Sequence, residues 1–383
     1  MKRRILTLII CTATMFGNTC GAFATESDNN QNTTIIETVK KEKTVYNLSL
    51  EEAIKMAYEK DPQYANLDIK IKDAEKQLES AKRAKKDLEG KSIYVGQGIT
   101  SFAVQRGYYV NQAEIALEAA KYEKEQTLAN SAYSITQKYY NVKLAEKFVE
   151  TAENTYKLTT DNLENMRTQF ELGMVAQFDV NSAQYASNQT KAMLEKYKRN
   201  LKIAQSQLAI ALYIDEEEFL LTLTDNLEYE KFITDVAADK EKAMRSRYDV
   251  YMLDSSISQA ELMLQIARIF GTNSAEYSSA NLSLLQCMTT NKNTKKAISL
   301  LLDSSYYSIM DRDDEYILAQ ENLSLSEQSY SIALTQFELG MITNSQLTAA
   351  LNNSIDARLS LENAKLNYKL AVEKYKYEIK IGL

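Results

Sequence analysis

Few side chains in this chain could do covalent chemistry, and those present are of types and spacings that suit binding instead. The 383 residues include no histidine, which removes the commonest general base and metal ligand, every Ser-His-Asp or Cys-His nucleophile, and every imidazole-containing zinc site. There is no glycine-rich phosphate loop and no Cys-x-x-Cys word. Of the three cysteines, Cys11 and Cys20 fall in an apolar leader, so Cys287 is left as a buried, inert thiol with no intrachain partner. The many Asp and Glu lie on helix-forming stretches as solvated faces. The chain is therefore expected to be no enzyme and to need no metal or cofactor.

The spacing that does stand out is a repeated word. Thr168-Gln169-Phe170-Glu171-Leu172-Gly173-Met174 recurs as Thr335-Gln336-Phe337-Glu338-Leu339-Gly340-Met341, 167 residues later, in a chain with only ten glycines. An internal duplication is the direct reading. Each copy sets its one glycine between two long heptad-patterned stretches, so each marks the bend of a helical hairpin, where a residue without Cβ adopts positive φ cheaply. Apolar residues on both sides of that glycine suggest a contact surface. The alternative is that Leu172, Met174, Leu339 and Met341 close the end of the hairpin's own core.

The elements that must position these bends are legible from the seven-residue spacing. Ile135, Val142, Val149, Tyr156, Leu163 and Phe170 form one seam on the way to the first bend, with Ala145, Ala152, Thr159 and Met166 three residues after four of them. Beyond the bend the seam resumes as Val180, Ser187, Leu194, Leu201 and Leu208, interleaved with Ala183, Thr190, Tyr197, Ala204 and Ala211. In the second copy Leu323, Tyr330 and Phe337 descend, while Leu347, Ser354, Leu361, Tyr368 and Tyr375 ascend beside Ala350, Ala357, Ala364 and Ala371. A descending helix of about 60 residues would be roughly 90 Å long. Such a rod must pack along other long helices, from its own chain and from copies of itself. The expected fold is all-α: duplicated long antiparallel hairpins that form an α-barrel, a small equatorial region, and no complete transmembrane β-barrel.

The chain divides accordingly. Residues 1–24 read as a secretory signal, with Lys2, Arg3 and Arg4 before the run Ile5 to Phe16 and Ala22-Phe23-Ala24 as the cleavage site. A lipoprotein reading with Cys20 acylated lacks the small and apolar pattern before that cysteine. Residues 25–46 are a polar, mobile tether; 47–212 are the first helical repeat, bending at Gly173; 213–239 are an equatorial connector; and 240–383 are the second repeat, bending at Gly340. Ser49 with Glu52 reads as a capping box, and the only proline, Pro62, should interrupt the first helix. Phe219 to Leu223 reads as a short strand, and a helix restarts near Lys240. Arg247-Tyr248-Asp249-Val250 occupies the place of Asp61-Pro62-Gln63-Tyr64, at an offset of 186 rather than 167. The first copy thus carries about 19 more residues in its outer half. Net charge is −7, and more negative without the leader, which argues against nucleic acid as a partner.

With its duplication, the Leu50 to Ala57 opening helix, the Arg247-x-Asp249 restart and the paired Phe-x-Leu-Gly-Met bends, the chain resembles the TolC-type outer-membrane efflux protein family over nearly its whole mature length. The resemblance implies a homotrimer whose twelve helices wall a hollow tunnel. It implies partners as well, a membrane-fusion adaptor and an inner-membrane pump. The adaptor would dock on Phe170, Leu172, Gly173, Met174, Phe337, Leu339, Gly340 and Met341. Acidic residues just past the bend often constrict the pore in that family. Asp179 matches by position in the first copy, and its other reading is a carboxylate favoured by the helix dipole. In the second copy Gln346 and Ala349 stand where acids would be expected.

The departure lies at the opposite end. Each transmembrane strand needs about 9 to 11 alternating residues. The segment from Lys91 to Arg106 has room for one strand or a short turn, and Gly271 to Lys296 shows no sustained alternation. The resemblance places the protein in the cell envelope, at the outer membrane or, in a cell without one, on the extracytoplasmic face. Other features have plain readings. Lys82-Arg83-Ala84-Lys85-Lys86 and Lys374-Tyr375-Lys376-Tyr377 are solvated faces, with a membrane-surface role as the alternative. Asn181, Ser182, Gln184, Asn344, Asn352 and Asn353 lean towards a polar lumen. The competing function is a non-conducting coiled-coil scaffold or spacer of the envelope.

Overall fold

The computed structural model describes residues 44–94, 96, 98–214 and 219–381. The expected signal segment and nearly all of the tether lie outside them. The described chain opens with strand β1 (Thr44–Leu48), slightly before the expected boundary at residue 47, because β1 pairs in parallel with β2 (Phe219–Leu223), Thr44 opposite Phe219. The remaining elements are helical. They are α1 (Leu50–Lys60), α2 (Gln63–Leu88), α3 (Gly98–Gln105), α4 (Tyr108–Glu171), α5 (Gln177–Ala211), α6 (Val236–Ser246), α7 (Tyr248–Ala267), α8 (Ala275–Glu338) and α9 (Asn344–Lys380). A 3-10 turn, Arg268–Phe270, follows α7.

The duplication is exact in its longest members, while α5 and α9 differ by two residues, 35 against 37. Both α4 and α8 have 64 residues, about 96 Å at the α-helical rise. α4 pairs with α5 and α8 with α9, while α2 and α7 lie along the upper parts of α4 and α8. α1 and α6 have 11 residues each and end where the sequence predicts a break. At the first break Pro62, with no amide hydrogen to give, stands as N-cap of α2; at the second Arg247 takes that place for α7. The Ser49 capping box forms, with Ser49 N–H donating to Glu52 Oε2 at 2.8 Å and Glu52 N–H to Ser49 Oγ at 3.3 Å.

Burial follows the heptads. Ile135, Val142, Leu163, Ala152, Thr159 and Met166 are buried on α4, Ser187, Leu194, Leu208, Ala183 and Thr190 on α5, and Leu347, Ser354, Leu361, Tyr368, Tyr375, Ala357 and Ala364 on α9. The one seam residue left exposed is Phe170, at the bend. Alanine at the second seam position lets backbones approach, while Thr159 and Thr190 fill their layer with a hydroxyl pair 2.7 Å apart.

Two cores sit at mid-height. In one, α1 lays Ala53 and Ala57 against Ile135, Tyr139 and Val142 of α4, and Leu221 and Leu223 of β2 close the side. In the other, Ala243 of α6 and Val250 of α7 pack on Ile298, Leu302, Tyr368 and Tyr375. The buried tyrosines direct their hydroxyls to the end of β1 and to the connector: Tyr139 donates to the Leu48 carbonyl and accepts from Asp225 N–H, and Tyr375 donates to Asp239. Burial pushes the Tyr139 and Tyr375 phenols up, so both stay neutral donors at physiological pH.

Several expectations need correction. The Lys91 to Arg106 segment holds no strand among the described residues; α3 fills it. Phe102 and Ala103, three and four residues after Ile99, bury against Ile266 of α7 on one helical face. Gln105 Nε2 closes the connection by donating to the Leu88 and Lys91 carbonyls. The stretch from Gly271 to Lys296 is a turn only as far as Ser274, whose Oγ accepts from Tyr277 N–H and starts α8 at once. The helix expected near Lys240 starts earlier, at Val236, because Asp235 caps it by accepting from Ala237 and Ala238 N–H. Cys287, expected to be buried, is half-buried on α8. The 19 extra residues of the first copy are a longer α2 and the α3 connection. No helix among the described residues is long and apolar enough to cross a membrane.

Candidate functional site

At the first bend, α4 ends on Leu172 and the chain turns through Gly173 at φ 72°. Met174 N–H donates to the Gln169 carbonyl at 2.8 Å and Gly173 N–H to the Phe170 carbonyl at 2.9 Å, the paired bonds of a Schellman motif. At the second bend Met341 donates to Gln336 and Gly340 to Phe337 at the same two distances, and Gly340 has the same φ. Identical words have folded into identical turns. A Cβ added at either glycine would meet no atom within 4 Å, so it is the left-handed backbone and not crowding that calls for glycine.

The apolar residues of the bends face solvent. Leu172, Met174 and Leu339 are each 70 % exposed and Met341 68 %. A Schellman turn normally sets the residue in the Met174 position against an apolar one four places before the glycine, but Gln169 and Gln336 stand there. None of the four therefore closes the hairpin's own core. That closure is made by Leu163, Met166 and Ala183, with Val180 and Phe337 against them. Here the copies part: Phe337 packs inward, while its equivalent Phe170 is 41 % exposed.

The starts of the outgoing helices differ too. Thr343 and Gln346 make a full capping box: Gln346 N–H donates to Thr343 Oγ1 at 3.3 Å and Thr343 N–H to Gln346 Oε1 at 2.9 Å. In the first copy Ala176 has no side-chain acceptor, so only the return half exists, Ala176 N–H donating to Asp179 Oδ2 at 3.2 Å. Asp179 and Gln346 are repeat equivalents with the same capping role. Asp179 also lines a cleft of about 510 Å³ between the two bends, together with Met174, Phe337, Gly340 and Asn344.

Sequence reasoning missed three parts of this end. Asn344, assigned to a polar lumen, is 1 % exposed. Its Oδ1 accepts from Asn162 Nδ2 of α4 at 2.9 Å, and its Nδ2 lies 3.5 Å from Ser182 Oγ of α5, so it ties the second hairpin to the first. Phe178 and Tyr185, one heptad apart on α5, are exposed and extend the apolar surface of the first bend. The helix seam could not reveal either, since both depend on where the neighbouring hairpin lies. Finally, α8 presents a second heptad stripe, Leu318, Leu325 and Ile332, all exposed and left uncovered by the described residues, in line with Leu339 at the bend. Among those residues no cluster of three or more Cys, Asp or Glu could hold a metal ion.

No family model matches the sequence, and no curated protein matches it. Solved structures do. The chain is similar to the Campylobacter jejuni CmeC outer membrane channel, with a TM-score of 0.63 at 13 % identity over 86 % of this chain and 85 % of that one. It is similar to the open state of the Neisseria gonorrhoeae MtrE outer membrane channel, with a TM-score of 0.65 at 13 % identity over 87 % and 89 %. It is similar to the Vibrio cholerae outer membrane protein VceC, with a TM-score of 0.64 at 12 % identity over 87 % and 97 %. The fold is that of the TolC-type helical channel proteins.

Proposed function

We propose that this protein is an efflux component of the TolC type: the tunnel subunit of a tripartite export system, working as a homotrimer in the cell envelope and doing no covalent chemistry. The observation that carries the proposal is the bare stripe of α8. Leu318, Leu325 and Ile332 repeat the heptad of the buried seams, yet no described helix of the same chain covers them. Burying side chains of this size contributes about 1.5–3 kcal/mol each, enough for a copy of the chain to be their natural cover. The same fold in CmeC and MtrE, both outer membrane channels, supports a closed ring of such copies around an axis.

The bends are then the docking tips for a membrane-fusion adaptor, itself joined to an inner-membrane pump. Exposed Leu172, Met174, Leu339 and Met341 on rigid turns favour this, as does the adjoining surface of Phe170 and Phe178. Gly173 and Gly340 hold the turns, and Phe337 supports the second from within. Asp179 would point a carboxylate near the tunnel's narrow end, its cap bond notwithstanding. Substrate would pass by small shifts of packed helices at these bends.

Cysteines placed at Met174 and Met341 should cross-link to an adaptor in envelopes, and a deletion strain should accumulate a pump substrate. A particle of fixed stoichiometry with a water-filled axis is expected by electron microscopy. A discrete monomer across a wide concentration range, or a ring with a dry centre, would defeat the tunnel and leave the coiled-coil scaffold.

A further inference from the structure

The end of the bundle opposite the bends has a character of its own. It is formed by the last turns of α2, α3 and the start of α4 in one copy, and by the end of α7, the 3-10 turn and the start of α8 in the other. Phe102 and Ala103 of α3, buried with Ile266 of α7, bind the two connections into one apex, and the rings of Phe102 and Phe270 meet edge to face at 5.8 Å.

The sequence from Lys82 to Gly107 carries six basic residues, Lys82, Arg83, Lys85, Lys86, Lys91 and Arg106, against two acidic ones, Asp87 and Glu89, in a chain whose net charge is −7. All six basic side chains are exposed, and none makes an ion pair among the described residues. The contrast with the same helices lower down is sharp. There Lys70 pairs with Glu123 at 2.5 Å and Lys124 with Asp68 at 2.6 Å across α2 and α4. Along these two helices, pairing across the interface gives way at the apex to unneutralised cations.

Apolar groups accompany them. Tyr94 is 72 % exposed in the connection before α3, Ile269 is exposed in the 3-10 turn, and Leu282 and Leu285 are exposed near the start of α8. Cations on long flexible stems, mixed with an exposed tyrosine and aliphatic side chains on one end of the bundle, match a lipid surface. The stems lie along acyl chains while their heads reach phosphates, and tyrosine suits the headgroup level. The described residues of the apex connections form a short helix and turns, a form that suits resting on a bilayer surface.

We propose that this apex docks on the surface of a bilayer containing anionic phospholipid, with Lys82, Arg83, Lys85 and Lys86 on the headgroups and Tyr94 entering them. The contact stands apart from the efflux reading, since a scaffold could make it equally well. Purified protein would be sedimented with vesicles of phosphatidylcholine alone or with about one part in three of phosphatidylglycerol, where affinity should be roughly tenfold or more higher on the anionic vesicles and fall steeply with salt. The Lys82→Gln/Arg83→Gln/Lys85→Gln/Lys86→Gln variant should lose most of that gain, while Lys196→Gln/Arg199→Gln on α5 should keep it.

The chain has no tryptophan, so Tyr94→Trp supplies a single indole whose emission should move to the blue with anionic vesicles only. This readout does not depend on how the glutamine variant folds. Equal binding to neutral vesicles, an equal loss in the α5 variant, or an unmoved Tyr94→Trp spectrum would overturn the proposal. So would binding to soluble inorganic polyphosphate with none to vesicles, which would assign the apex to a polyanion instead.

Discussion

Replacing Asn344 with alanine tests whether the two hairpins are joined near their tips by a polar bridge. Asn344 is 1 % exposed and accepts from the Asn162 amide at 2.9 Å; its own amide sits 3.5 Å from Ser182 Oγ, at the limit of a hydrogen bond. One good bond contributes about 0.5–1.5 kcal/mol net, and a buried partner left unsatisfied costs about 1–3 kcal/mol. Asn162 is only half-buried, so water can reach its freed amide, and the weak Ser182 contact adds little. Asn344→Ala should therefore cost about 1.5–2.5 kcal/mol, and a double-mutant cycle with Asn162→Ala should return a coupling of about 1 kcal/mol. Urea midpoints would be compared at one fixed protein concentration, because association raises apparent stability. Hydrogen exchange should quicken around residues 177–185 and 344–352 and stay unchanged near Tyr139. Coupling below about 0.3 kcal/mol, the ordinary scatter of additive sites, would refute the bridge.

Other consequences follow from single features. Gly340→Ala should cost about 1 kcal/mol, as expected of a left-handed alanine with no clash, and Gly340→Asn less; thermal melts of both would show whether backbone alone sets the choice. Arg247 is buried, holds Asp249 through two nitrogens and gives a third bond to the Glu378 carbonyl at 2.6 Å. In urea titrations Arg247→Ala should cost about 3 kcal/mol, and Arg247→Lys should recover only part of it, since an ammonium cannot make the fork. Burial works to raise the Asp254 carboxyl, but hydrogen bonds from Lys295 and Asn291 outweigh it and hold the pKa below the usual value. With the folded pKa depressed, the stability it lends is present above the unfolded carboxyl pKa of about 3.9 and is lost as pH falls through the folded value. An acid titration of unfolding should be less steep in Asp254→Asn.

Much of this architecture is legible in the sequence, because a seven-residue period constrains every turn of a 64-residue helix at once. Pro62, the Ser49 box and the glycine words are legible for a related reason: each acts through backbone chemistry within a few residues. The misread segments share the opposite property. Lys91 to Arg106 reads as a strand or short turn, yet Phe102 packs on Ile266, a partner more than 150 residues away that no local pattern announces. The segment from Gly271 to Lys296 reads only as lacking strand alternation, because its Asn, Ser, Thr and Lys carry little periodic signal, although Ser274 is a sound cap for the helix that starts there. Asn344 reads as lumen-facing because its polarity is plain in the sequence and its pairing with Asn162 is not.

The bends show how the same limit bears on function. Their seven-residue words, their φ values and their turn bonds agree, so the backbone treats them as one object used twice. Yet Phe337 is drawn inward beside Met166 and Ala183 of the other hairpin, while Phe170 is left exposed, as are Phe178 and Tyr185 of the same hairpin. The flanks bear on the difference: Thr343 and Asn344 commit their side chains to a cap and a bridge, whereas their equivalents do not, Ala176 having no side-chain acceptor and Gln177 donating only to Asn181 one turn on in its own helix. A duplicated turn has thus become two unlike surfaces, one with exposed aromatic residues, the other braced. If both tips meet one kind of partner helix, the first should contribute more of the affinity. Phe178→Ala should then weaken capture at the Met174 cysteine more than Ser345→Ala weakens it at the Met341 cysteine, and equal losses would mean that the partner reads only the shared word.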